Sequence, residues 1–334
     1  MSASDPALAT ALCGIPLKNP VIAASGTFAY GLEFEKLVDL NALGGLVVKG
    51  LSREPIEGNP PPRLFETAAG MINSIGLQNI GVHRFVIEKL PALSKLRTAV
   101  FANVFGYATE DYAEVVRVLE DHEGLAGYEL NVSCPNTRRG GIHFSSDPAL
   151  LAEVITAVKQ VARRPVMVKL SPSVSAIEPL ARAAESSGAD AISLVNTFVA
   201  LAIDPRTRLP RLGAGLGGLS GPAIKPIALR LVLQAARAVR IPVVGLGGIA
   251  SGTDAAEFLI AGASAIQVGT ATFWDPGAPL RIARELGRFL RREKIGSVKD
   301  LVASIKLGAS EAKSPEAEEK NSDSNSPTAF PRGR

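Results

Sequence analysis

Two stretches decide the fold: Pro242-Val243-Val244-Gly245-Leu246-Gly247-Gly248-Ile249 and, shortly after it, Ala265-Ile266-Gln267-Val268-Gly269-Thr270-Ala271. Each is a short, nearly continuous apolar run that ends in glycine, as expected of a strand buried on both faces. The residues between them, Asp254–Ala261, carry apolar side chains at helical spacing. A strand, a helix and a second strand in that order predict a parallel βαβ unit.

Working outward, six more runs of the same kind appear: Asn19–Gly26, Gly44–Gly50, Arg97–Gly106, Tyr128–Cys134, Pro165–Ser171 and Ala191–Thr197. Amphipathic stretches lie between them at Asp111–His122, Asp147–Ala162, Ile177–Ser187 and Lys225–Arg240. The repetition predicts a closed (β/α)8 TIM barrel, an α/β fold of typically about 250 residues. An open sheet of about seven strands is the competing count. Two connections are long, Leu51–Ile80 with its Gly58-Asn59-Pro60-Pro61-Pro62 segment and Thr197–Gly221, and loops of that length are usually functional. Residues 1–308 are expected to form a single catalytic domain. Residues 309–334 are Ser, Glu, Lys, Asn and Pro with little to bury, and read as a disordered tail.

Of the 334 residues 46% are hydrophobic and only 5% aromatic, a balance that suits buried parallel strands. The net charge of +4 is small, and no Lys/Arg run interleaved with aromatics suggests nucleic acid. Cys13 and Cys134 are far apart, with no cysteine cluster or paired histidines for zinc or iron–sulfur, so no metal site is expected. The N-terminus lacks a basic segment followed by an apolar one, and no apolar run is long enough to span a bilayer. These features predict a soluble cytoplasmic protein.

The polar residues fall at one end of the strands: Ser25, Lys49, Asn103, Asn131 with Cys134, Lys169, Asn196 with Thr197, Gly247 with Gly248, and Gly269 with Thr270. In barrels of this class the C-terminal rim carries the active site, and burying such groups for packing alone is costly. The glycine loops after the last two strands expose backbone N–H groups where barrels commonly hold phosphate. They predict a phosphorylated substrate or a cofactor such as FMN or PLP. Gly213-Ala214-Gly215-Leu216-Gly217-Gly218 satisfies G-x-G-x-x-G, but no strand precedes it and no acidic residue follows about 20 positions on. It reads as a mobile glycine loop. Cys134 sits where the fourth run gives way to a loop bearing Gly and Arg, and its chemistry leaves both nucleophile and proton-transfer base open.

Asn131-Val132-Ser133-Cys134-Pro135-Asn136 resembles the signature of class 1 dihydroorotate dehydrogenases. Further matching blocks are Ala24–Phe28, Asn73–Asn79 and Gly217–Pro226, and the likeness runs over about residues 10–305. The chain is most similar to the NAD-linked class 1B catalytic subunit. That resemblance implies one FMN per chain, oxidation of dihydroorotate to orotate in pyrimidine (UMP) biosynthesis, and Cys134 as the base. It implies flavin contacts at Ser25, Lys49, Gly50, Asn103, Asn131, Lys169, Val195, Gly221, Gly247, Gly248, Gly269 and Thr270. Lys169 would stabilise the negative charge of the reduced ring. Substrate contacts are implied at Lys49, Asn73, Asn131, Asn196 and Thr197, with Ser74, Ile75, Gly76 and Leu77 lining the pocket. A homodimer core within a heterotetramer follows, its second subunit carrying FAD and a [2Fe–2S] cluster. Alternatives are the fumarate-linked class 1A enzyme, another FMN barrel, or a lyase using Lys49 or Lys169 as a Schiff base.

Overall fold

A computed structural model describes residues 5–132, 144 and 146–306. The expected tail and the loop carrying Cys134 lie outside the described residues. Eight parallel strands close into a barrel. They are β1 (Val21–Ala23), β2 (Gly45–Val47), β3 (Ala99–Val104), β4 (Gly127–Asn131), β5 (Val166–Lys169), β6 (Ala191–Leu194), β7 (Val243–Leu246) and β8 (Ala265–Val268). Each pairs with its sequence neighbour, and β8 returns to β1 through Ile266↔Val21. Closure decides against the open sheet: a circuit of short strands leaves no unpaired edge.

The helices that cover the barrel are α1 (Val82–Glu88), α2 (Leu90–Leu93), α3 (Thr109–Glu120), α4 (Pro148–Lys159), α5 (Glu178–Ser186), α6 (Lys225–Ala238), α7 (Gly252–Ile260) and α8 (Ala278–Arg292). Their starts follow local chemistry. Asp147 caps α4 with Pro148 in its first turn, and the Ser251 hydroxyl accepts from Asp254 N–H at the head of α7. Among the described residues no helix is long and apolar enough to cross a membrane.

The barrel is apolar at its base. A hairpin of Thr10–Leu12 against Ile15–Leu17 sends Leu12 and Leu17 into contact with Ile22, Val47, Phe101, Met167, Ala191, Val244 and Ala265. Cys13 turns that hairpin, and its thiol donates to the Asp190 carbonyl. Burial, aided by the Asp190 charge, pushes the Cys13 thiol up to about 11, so it stays protonated and inert at neutral pH.

The two long connections are not irregular loops. Leu64–Thr67 and Gly70–Asn73, from the first, join Phe198–Ala200 and Gly217–Ser220, from the second, in a four-stranded antiparallel sheet standing on the C-terminal rim. The expectation of a mobile glycine loop at 213–218 is corrected here. Gly217 and Gly218 are strand residues, and a Cβ on Gly218 would lie 2.0 Å from Thr197 Oγ1. Glycine serves close approach at that position, not mobility.

The base plug makes a direct prediction. Leu12→Ala removes a side chain that is 1% exposed, and should lower unfolding stability by about 2–5 kcal/mol, read from the denaturant midpoint.

Candidate active site

The period of two along β4 points Glu129 and Asn131 to the same side, the barrel interior. Glu129 is fully buried. Its Oε1 accepts from Asn103 Nδ2 of β3 at 2.7 Å and lies 3.7 Å from Lys169 Nζ of β5. Its Oε2 accepts from Ser193 Oγ of β6 at 3.0 Å and from Gln267 Nε2 of β8 at 2.6 Å. Two residues closer to the rim, Asn131 pairs in register with Lys169, and Asn196 Nδ2 donates to Asn131 Oδ1 at 3.2 Å. Thr197 N–H donates to Asn196 Oδ1 at 2.9 Å. A backbone N–H can only donate, so it fixes which end of the Asn196 amide faces it. The chain of donors thereby orients both amides.

Across the rim the glycines gather. Gly221, Gly247 and Gly248 all have positive φ, at 97°, 124° and 82°. A Cβ on Gly248 would stand 2.8 Å from the Gly221 carbonyl, and one on Gly247 would stand 3.1 Å from Val195 Cγ2. Thr270 Oγ1 donates to Ser220 Oγ at 2.8 Å, tying β8's end to this group. Gly269 faces Ala24 and Thr27, which flank Ser25. Backbone without side chains therefore lines one region between β6, β7 and β8.

Lys49 follows β2, with Gly50 set against Asn103 Oδ1. Burial, and secondarily the Arg63 cation, holds the Lys49 ammonium below the usual lysine range. Among the described residues it has no acidic partner. Asn73 Nδ2 donates to the Gly218 carbonyl at 3.3 Å, bringing it beside Thr197. Ser74 is buried with its hydroxyl unpartnered. Gly76 turns toward Asn59, whose N–H donates to Ile75, and Leu77 packs on the main core. The segment 75–77 thus packs against the proline-rich turn. Glu129, Ser193, Gln267 and Arg63 were not among the expected site residues. A charged or amide side chain inside a run buried on both faces was the available signal for Glu129 and Gln267.

The sequence model of the dihydroorotate dehydrogenase family matches residues 7–290. The chain belongs to the dihydroorotate dehydrogenase family. A Solibacter usitatus protein provisionally named dihydroorotate dehydrogenase A (fumarate) is 80% identical over 302 residues, 90% of this chain and 99% of the relative. The Citrifermentans bemidjiense dihydroorotate dehydrogenase B (NAD(+)) catalytic subunit is 49% identical over the same shares of the two chains. A crystal structure of dihydroorotate dehydrogenase from Eimeria tenella superposes with a TM-score of 0.77 at 24% identity, covering 90% of this chain and 89% of that one. It shares the fold. Membership of the dihydroorotate dehydrogenase family leaves the Schiff-base lyase alternative without support.

Dihydroorotate dehydrogenases bind FMN. The residues present fit that group: a side-chain-free cradle would take its phosphate, and polar groups on β3 to β5 would meet its ring. Holding Lys49 without an acidic partner among the described residues has a measurable cost. In the unfolded chain it titrates normally, so between its folded pKa and 10.5 the unfolded state holds more protons and stability rises with pH. Lys49→Met should therefore raise the melting temperature of the FMN-free protein at pH 7. That gain should shrink as pH climbs toward 10.5, as followed by thermal unfolding at several pH values.

Proposed function

We propose that the chain oxidises dihydroorotate to orotate, with FMN held on the C-terminal rim and electrons passed to NAD through a partner subunit. The observation that carries the site reading is the convergence of the glycine cradle with Lys49, Asn103, Asn131, Lys169 and Asn196 at the strand ends. FMN, when bound, supplies the hydride acceptor.

The chain's own groups do the rest. Gly221, Gly247, Gly248, Gly269 and Thr270 offer backbone N–H groups to the phosphate. Ser25, Gly50, Asn103, Lys169 and Val195 bound the ring. Lys49, whose ammonium also feels the Arg63 cation, attracts the substrate carboxylate, which gives the half-buried ammonium a counter-charge. Asn131, its Oδ1 engaged by Asn196, stands in the wall that meets the substrate ring. Asn73 spends its Nδ2 on Gly218, so its Oδ1 is the acceptor for a ring N–H. Asn196 and Thr197 complete that wall, and Ser74, Ile75, Gly76 and Leu77 close the pocket. Cys134 takes the C5 proton as the C6 hydride leaves and the C5–C6 double bond forms.

The partner is read as carrying FAD and a [2Fe–2S] cluster, with a homodimer of this chain at the centre of a heterotetramer. Relatives such as the Geobacter sulfurreducens NAD(+) catalytic subunit, 50% identical over 302 residues, support that reading. The 80% identical relative named for fumarate favours a second one, in which the chain works alone.

Cys134→Ala should slow flavin bleaching by dihydroorotate by about a hundred- to ten-thousandfold while FMN stays bound. Stopped-flow absorbance of the loaded protein measures it, and wild-type rates would remove Cys134 from the mechanism. The acceptor is decided by assaying the isolated chain with fumarate and the co-purified complex with NAD. Turnover of fumarate by the isolated chain would replace the NAD reading.

A further inference from the structure

Glu129 has no role in the reading above, yet it is the most constrained polar side chain of the barrel interior. It is fully buried, and its two oxygens face four groups from β3, β5, β6 and β8. Three hydrogen bonds and one ion pair therefore engage both of its oxygens. Three of those groups, on Asn103, Ser193 and Gln267, are neutral, and Lys169 is the cation. The arrangement has a cost. Turning Nε2 of Gln267 to Glu129 leaves its Oε1 buried without a partner. An orphaned buried acceptor is destabilising, a penalty that an apolar layer at the same level would avoid. A barrel needing only packing has no use for this cluster.

We infer that Glu129 is a positioning residue for the flavin site, fixing Asn103 and Lys169 and offsetting the Lys169 charge that would face the flavin ring. The inference rests on the proposed seat of FMN beside those two side chains. Two physical effects follow. The carboxylate holds the Asn103 amide with its Nδ2 inward, which leaves Oδ1 toward Gly50 and the rim. It also lies 3.7 Å from the Lys169 ammonium where both side chains are buried, so a charge acts strongly on its neighbours. A cation alone would favour the reduced, negatively charged ring. The buried carboxylate moderates that preference, and so keeps the cofactor able to release its electrons to the next acceptor.

The test is the midpoint potential of bound FMN in the full-length protein, measured by dye-coupled reduction. Glu129→Gln should shift it upward, by at least tenfold in the ratio of affinities for reduced and oxidised FMN, or ~30 mV for a two-electron couple. Lys169→Met should shift it downward. An unchanged or lowered potential in Glu129→Gln overturns the proposal, even if thermal stability falls. Because the single change sets donor against donor, a second variant combines Glu129→Gln with Gln267→Glu. This exchange restores the pair while moving the charge across the barrel. It should fold, retain FMN and show a smaller upward shift, and a wild-type potential would again overturn the assignment. If neither variant yields folded protein, Glu129 is structural only and the proposal falls. A wild-type chain that binds no FMN would instead remove the flavin reading itself.

Discussion

A carboxylate buried at the centre of a closed barrel is removed from bulk solvent, so protein donors must meet its oxygens. Glu129 imposes that condition here, and the upper half of the barrel is arranged around it. Asn103, Lys169, Ser193 and Gln267 come from four other strands, and β8 lies opposite β4 in the circuit. Strand register is consequently locked at the level just below the rim. A one-residue slip of any of these strands would turn its polar group outward and leave the carboxylate short of a donor.

Beneath this layer the barrel is apolar, closed by Leu12 and Leu17 of the basal hairpin. The split between an apolar base and a polar upper layer separates two demands. Packing at the base supplies stability at little cost in specificity. The polar layer gives up some of that stability to hold amides and an ammonium at fixed positions. Lys49 shows the same exchange at the rim, where a half-buried cation that feels the Arg63 charge is kept without an acidic partner among the described residues. A cation held in this way is stabilised by any anion that binds beside it.

The rim itself is built by backbone as much as by side chains. Positive φ at Gly221, Gly247 and Gly248 lets three chain segments approach within distances no Cβ would tolerate. Gly218 does the same for the antiparallel sheet, where it meets Thr197. That sheet joins the excursions after β2 and β6, so Asn73 and Thr197 become neighbours although they are far apart in the chain.

What the sequence determined alone was periodic and local. Runs of Val, Ile and Leu ending in Gly, Asn or Lys set the strands and placed their polar residues at a common end, because parallel strands buried on both faces tolerate polarity only at their tips. The block Asn131–Asn136 was enough to suggest the family, which the match over residues 7–290 then established. Tertiary structure decided everything that depends on closure. Which groups surround Glu129 follows from which strands stand opposite, and no spacing in the chain encodes that directly. The pairing of two excursions into one sheet was equally hidden, since Gly217 and Gly218 read as loop residues until their partner strands are known. Glycine permits both a flexible turn and a tight contact, and only the neighbour it meets distinguishes them.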